Sequence, residues 1–508
     1  MTGLERVVIV GGGTAGWMAA AALARALRNS GLAIELVESD EIGTIGVGEA
    51  TVPDIRLFNR FLGIDESDVM RECRGTFKLG IEFLDWGALG RRYFHSFTGY
   101  GLDPSARQFH RLYQKYALAK QSRGECACFD NFNSGACAAR AGKFSLGQQD
   151  RAPSSGALNY ALHFDASLYA GYLRKYAEAA GVTRIQGRVV SVEQNAETGF
   201  LMHVKLADGQ AIGADLFIDC TGFAGLLIEG ALETGYEEWS HWLPCNTAVA
   251  VATESVEPPA PFTRSTADLA GWIWRIPLQH RVGNGYVYCD RYISDDEAER
   301  RLLSHISGKP LAAPRRIRFS PGKRKKVWNR NCIALGLAAG FLEPLESTSI
   351  HLIQSSLMRL ISFFPDKSFD QAEIDDFNRR TDEEIVDVRD FIIAHYKLTS
   401  RDDAPFWREC RDMQVPERVR TIIELFSAKG RFTPKPEQLF NIHSWLAILY
   451  GQGELPRGYD PLLLPMPEAQ LDQEMEKIRA LIRSSTDAMP AHVDALRQFG
   501  AMRDEVLT

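Results

Sequence analysis

The sequence predicts an α/β fold, and three observations carry that expectation. An apolar run, Arg6 to Val10, enters a glycine-rich turn, Gly11 to Gly16, which opens an Ala-rich helical stretch, Trp17 to Leu27. A second run, Ala33 to Val37, alternates toward a strand and ends on the acid Glu38. Two later apolar runs, Ala214 to Cys220 and Asn331 to Leu335, each open into a glycine turn, so the sheet is assembled from distant parts of the chain.

Gly11, Gly13 and Gly16 form a G-x-G-x-x-G turn between a strand and a helix. Glycine there permits a tight turn and close approach to a pyrophosphate, which the unpaired N–H groups and positive dipole of the helix N-terminus then hold. Glu38 follows at the end of the second strand, about 20 residues on, where a carboxylate accepts from a ribose diol. A lone glycine triplet is weak, because such turns also occur where nothing binds. Here strand, turn, helix, strand and acid occur in order, the Rossmann-like arrangement of a dinucleotide site.

Further along, His163 to Ala180 reads as a helix, and Val182 to Val192 and Leu201 to Leu206 as strands, with Asp208-Gly209 read as the hairpin turn signal between them. The helix after Asn331 to Leu335 begins near Ser347. Thr247 to Ile293, rich in Val, Trp and Tyr, reads as a β-sheet insertion, and the chain from Phe369 onward as mostly helical, with a stripe of Val386, Phe391, Ile392 and Tyr396. The stretch Gly124 to Gln149 is the expected long loop. The expected organisation is a discontinuous nucleotide module (1–90, 155–235 and 320–368), substrate-side insertions (91–154 and 236–319) and a helical substrate-binding region (369–508).

The chain has 508 residues, 45% of them hydrophobic, enough for a large core. Acids outnumber bases, 65 to 58, for a net charge of −7, which excludes the basic footprint of a nucleic-acid binder. The nine cysteines form no C-x-x-C pair or zinc-like spacing. They point to no metal site and to a reducing, cytoplasmic compartment. The apolar run Val7 to Ala24 is broken by Gly11, Gly12, Gly13 and Gly16, so no membrane span is expected.

Four segments make a family resemblance specific: Gly46-Val47-Gly48-Glu49-Ala50-Thr51-Val52-Pro53, Phe77-Lys78-Leu79-Gly80-Ile81, Trp272-Ile273-Trp274-Arg275-Ile276-Pro277, and Phe341 to Ile350, which reads Phe-Leu-Glu-Pro-Leu-Glu-Ser-Thr-Ser-Ile. Together they resemble the signature set of flavin-dependent tryptophan halogenases, from the first strand to about residue 360 and more weakly beyond. The resemblance implies an FAD-binding Rossmann-like module of the aromatic-hydroxylase kind. FAD would lie against Gly11, Gly13, Thr14, Ala15, Gly16, Glu38, Ser39, Ile45, Val47, Ala50, Val189, Leu337 and Ile350. The segment Asp215 to Gly222 resembles the second flavin contact of monooxygenases. With one dinucleotide fingerprint, a separate flavin reductase is expected to supply FADH2.

The implied reaction has two sites. Oxygen and reduced FAD oxidise chloride or bromide to hypohalous acid, which reaches the substrate through an internal tunnel. Lys78 matches the lysine that holds or captures the halogen, and Glu346 the catalytic carboxylate. Thr348 and Ser349 match the halide-binding positions. The residue types suit the chemistry: an ammonium polarises the halogen and fixes its position, and a buried carboxylate stabilises the cationic ring and takes its proton. Taken alone, a lysine is usually a solvated charge, Glu346 a helix N-terminal charge with Glu343 as a decoy, and Thr348 an ordinary cap. Trp272 and Trp274 are by themselves core aromatics; in the family such a pair keeps organic substrate from the flavin. Gly336-Leu337-Ala338 also lacks the acid that related hydroxylases carry at this point.

The implied substrate is an indole-like molecule. Ile422 to Phe440 lacks the paired tyrosines with which free-tryptophan enzymes clamp the amino acid, and Glu437 and Phe440 are partial matches. His95 and Phe97, read as following a helix-like stretch after Lys78, are expected to line the aromatic pocket. Homodimerisation is left open. The competing readings are a flavin-dependent aromatic monooxygenase, a non-catalytic FAD-binding protein, and a halogenase of carrier-bound substrate.

Overall fold

The computed structural model describes residues 3–41, 49–101, 107–146, 158–432 and 438–502. The chain divides into two compact units, each built from three separate stretches.

The first unit comprises Met1–Gly75, Phe164–Ser240 and Arg318–Val386. Its sheet runs Trp328–Asn329, Cys332–Ala334, Leu216–Asp219, Arg6–Val10, Ala33–Glu38, Thr183–Gln186. The last five strands are mutually parallel, with Val8 opposite Phe217 and Glu35, and Ile218 opposite Ile333. Val7 to Val10 are buried on both faces, the expected pattern for an inner strand of a covered parallel sheet. The helix Thr14–Ala26 packs on the sheet; its buried Ala19, Ala20, Ala21 and Ala22 let the helix Ala166–Ala179 approach closely. A three-stranded antiparallel sheet, Val189–Gln194, Leu201–Leu206 and Ala211–Gly213, adds Leu201, Val204 and Leu206 to the same core.

The second unit comprises Thr76–His163, His241–Ile317 and Asp387–Thr508. Its seven-stranded sheet runs Arg315–Arg318, Thr247–Thr253, Val282–Tyr288, Gly271–Pro277, Thr263–Asp268, Gly80–Leu84, Arg92–Ser96. Helices Pro405–Asp412, Glu417–Lys429, Ile442–Gln452, Glu468–Asp487 and His492–Gln498 belong to this unit. Among the described residues no helix is long and apolar enough to cross a membrane.

Local expectations needed correction in four places. His163 to Ala180 is not one helix: Ala161–Phe164 is a strand, and Asp165 caps the following helix by accepting from the N–H groups of Ser167 and Leu168. Val182 to Val192 is two strands, Thr183–Gln186 and Val189–Gln194. The Asp208-Gly209 turn joins Leu201–Leu206 to Ala211–Gly213, a strand not foreseen. Within Gly124 to Gln149, the side chain of Asn133 accepts from Ala136 N–H and starts a helix, Ser134–Arg140.

Candidate active site

In the first unit, the carboxyl ends of the inner strands bring four sequence motifs to one edge. This is where a doubly wound sheet binds nucleotides. Gly11 has φ +112°, and a Cβ there would stand 2.3 Å from the carbonyl oxygen of Cys220. A Cβ on Gly12 would stand 1.6 Å from a carboxylate oxygen of Glu38. The helix that follows, Thr14–Ala26, has Gly13 at its N-cap, no side-chain cap bond and no acid in its first turn. Its first N–H groups are therefore open to an anion with no acid of the same turn competing for them, and the turn fits the pyrophosphate of a dinucleotide.

Glu38 closes its strand as expected, and Trp17 Nε1 donates to it at 3.3 Å while Arg184 pairs with it. A carboxylate has about four acceptor sites, so capacity for a ribose hydroxyl remains. Gly336 comes up against Ala15, which brings the turn containing Leu337 beside the glycine turn. Asp219 is buried and shapes the intervening turn. Its Oδ1 accepts from Thr221 N and Oγ1 at 3.0 and 2.6 Å, and its Oδ2 from Leu227 and Ile228 N–H at 2.8 and 2.9 Å. Val189 packs at the rim of the core cluster, Ala50 is buried, and the Ser39 hydroxyl accepts from Glu41 N–H. Ile45, Val47 and Glu437 lie outside the described residues.

The segment Phe341 to Ile350 belongs to this unit. Glu343 and Glu346 are both 1% exposed, at the start and end of a short 3-10 turn, Pro344–Glu346. Ser347 then takes φ +60°, a left-handed conformation that costs a non-glycine residue about 1 kcal/mol. The helix Ser349–Ser362 follows, with Thr348 at its N-cap. Ordinary capping does not occur: Thr348 makes no side-chain cap bond, its buried Oγ1 has no hydrogen-bond partner among the described residues, and the first turn carries no acid. Ile350 is buried two residues after Thr348.

Sequence reasoning missed an ion-pair cluster in the first turns of this helix. His351 Nε2 lies 3.0 Å from Glu384 Oε1, and Glu384 Oε2 accepts from Ser355 Oγ at 2.9 Å and Arg359 Nη2 at 2.8 Å. Burial pushes the Glu384 carboxyl up, but the His351 hydrogen bond and the charge of Arg359 hold it below its ordinary value. Glu384 sits on another helix, so local sequence gives no signal for the cluster.

The second unit holds Lys78. The lysine ends the strand Thr76–Lys78 and is 0% exposed, with Nζ 5.1 Å from the ring centroid of Phe97. A desolvated ammonium over an aromatic face gains about 2 kcal/mol.

His95 and Phe97 do not follow a helix. Gly80–Leu84 and Arg92–Ser96 form an antiparallel pair that places Ile81 opposite His95. His95 is buried against Phe391 and Phe440, at ring distances of 5.5 and 6.1 Å, and those two phenylalanines stack at 3.9 Å. Trp272 and Trp274 share one face of Gly271–Pro277, 6.1 Å apart, and the Trp274 ring lies across Gly285 of the neighbouring strand. Along Glu417–Lys429, Glu424 points outward, 69% exposed, while Phe426 turns inward onto His110.

A parallel sheet whose strand ends carry a glycine turn defines a nucleotide-binding class of protein. Comparison with known proteins gives its family. The tryptophan halogenase family model matches residues 6–468. A tryptophan 6-halogenase from Streptomyces albogriseolus is 35% identical over 98% of both chains, and a tryptophan 7-halogenase from Lentzea aerocolonigenes 34% identical over 97% of this chain and 98% of its own. Among solved structures, a flavin-dependent halogenase from Xanthomonas campestris is 46% identical with a TM-score of 0.92, covering 98% of each chain. Another, from Brevundimonas sp. BAL3, has the same identity and TM-score and covers 98% of this chain and 99% of its own. The chain belongs to the tryptophan halogenase family of flavin-dependent enzymes.

Proposed function

We propose that the protein halogenates an indole-like aromatic, using FADH2, oxygen and chloride or bromide, with Lys78 and Glu346 as its catalytic side chains. The observation that carries this reading is the fully buried ammonium of Lys78 beside Phe97. A buried lysine is costly to keep and points to a chemical task. Bound reduced FAD supplies the electrons with which oxygen oxidises halide to hypohalous acid. The glycine turn holds the pyrophosphate of this FAD, and Thr348 and Ser349, at an uncapped helix start, hold the halide. Lys78 hydrogen-bonds the oxygen of hypohalous acid and aims its halogen at one ring carbon. As the carbon–halogen bond forms and the halogen–oxygen bond breaks, the Lys78 ammonium gives a proton to the departing hydroxide, which leaves as water, and Glu346 takes the proton displaced from that carbon. Trp272 and Trp274 keep organic substrate from the flavin. The nine cysteines, all free thiols, support a reducing, cytoplasmic setting.

The test is turnover with and without each reactant. The purified chain alone should oxidise little NADH. Adding a flavin reductase should start product formation, and this product should require chloride or bromide. Hydroxylated product formed without halide would turn the assignment toward an aromatic monooxygenase.

Substrate choice follows from the missing clamp. The charge of Glu424 faces outward, and the stretch carries no tyrosine pair to meet an amino acid's ammonium and carboxylate. Desolvating both charges without partners costs several kcal/mol. Indole should therefore show the higher kcat/KM, reacting chiefly at its most electron-rich carbon. A clearly higher kcat/KM for free tryptophan would mean that other residues form the clamp.

A further inference from the structure

We propose that His492, near the far end of the chain, is a positioning residue for Lys78: its imidazole closes the open edge of the strand that carries the lysine. This rests on the reading of Lys78 given above. Thr76–Lys78 pairs antiparallel with Ala161–Phe164, Thr76 facing His163, Phe77 facing Leu162 and Lys78 facing Ala161. Backbone N–H groups alternate in direction along a strand, so those of Phe77 and Leu79 point to the opposite edge. Leu79 N–H finds the carbonyl of Pro261 at 2.8 Å. Phe77 N–H, 415 residues from its partner, donates to His492 Nε2 at 3.3 Å.

The same imidazole donates from Nδ1 to the carbonyl of Pro259 at 2.7 Å. With its proton on Nδ1, the ring accepts at Nε2 only while neutral. His492 is 2% exposed, and burial pushes its pKa down to about 4, so the neutral form persists at working pH. The histidine is itself fixed, because its own N–H bonds the carbonyl of Gly142 at 2.8 Å. The other end of the strand is held separately. Thr76 Oγ1 donates to the carbonyl of Pro277 at 2.8 Å and meets His163 Nδ1 at 3.0 Å, and His163 Nε2 meets Thr263 Oγ1 at 2.9 Å. His492 is thus the hinge-pin of the outer edge, one residue before the lysine. Displacing a reacting group by about 1 Å can cost about a hundredfold in rate.

The test compares His492→Leu, which removes both hydrogen bonds, with His492→Gln, whose amide offers an acceptor and a donor. Phe499→Leu is the packing control; its ring lies 5.4 Å from that of Phe77 and makes neither bond. The full chain is assayed with reductase-supplied flavin, and free hypohalous acid is trapped by a scavenger in solution. His492→Leu should lower kcat about tenfold to a hundredfold, leave substrate KM nearly unchanged, and raise the trapped acid per flavin oxidised. His492→Gln should restore coupling, and Phe499→Leu should lower Tm without raising the trapped fraction. If His492→Leu does not fold, His492→Asn takes its place, since its shorter amide cannot span both partners. Unchanged kcat and trapping in the Leu or Asn variant overturns the proposal. So does a Gln variant as impaired as Leu, or a Phe499 variant that leaks as much. Regioselective product from a Lys78→Met enzyme would instead remove the reading on which the proposal rests.

Discussion

Lys78→Met is expected to abolish halogenated product, by about a thousandfold or more. Methionine matches the lysine stem in volume, so the fully buried site stays filled while the ammonium is lost. Flavin affinity and product are therefore expected to separate, the first retained and the second falling to background. Flavin binding should persist, because Lys78 belongs to the second unit and the glycine turn to the first. A variant that keeps regioselective product would remove Lys78 from the chemistry. One that loses flavin affinity along with product would make it a structural residue.

Glu346→Gln should lower kcat by about a hundredfold to ten-thousandfold, the range for loss of a positioned general base, with little change in substrate KM. The amide retains the shape of the side chain but neither takes a proton nor offsets the positive charge developing on the ring. Glu343 is the natural comparison, since it is equally buried and only three residues earlier. Glu343→Gln should cost much less activity. Equal losses at the two positions, or a Glu346 variant within tenfold of the parent, would contradict the assignment.

The inner strands were legible because Val7 to Val10 and Leu216 to Ile218 are buried on both faces, so each reads as an unbroken apolar run close to a glycine turn. The hairpin after Lys78 was not. Glu82 interrupts its apolar pattern, and that carboxylate is buried only because Arg140 and Arg264, 58 and 182 residues away, reach it. Its turn also rests on Asp85 at φ +62°, which sequence does not announce. The Asp165 cap was overlooked inside a stretch taken as continuous helix. At the candidate site, motif spacing pointed to the glycine turn, and the family resemblance implied Lys78 and Glu346. The contacts of His351 with Glu384 and of His492 with Phe77 join segments far apart in sequence, and no local pattern encodes them.

Each unit is made of three separate stretches that alternate along the chain. No single cut releases either one whole, so expressing the nucleotide module alone would require splicing Met1–Gly75, Phe164–Ser240 and Arg318–Val386 through new linkers. Synthesis order has a similar effect. The parallel sheet cannot be completed until Cys332–Ala334 has left the ribosome, long after its partner Leu216–Asp219. Such late, non-local pairing lowers folding rates and leaves unpaired strand edges exposed in the meantime. Recombinant yield should therefore respond to slower translation, lower growth temperature and added chaperones more than to stabilising surface substitutions.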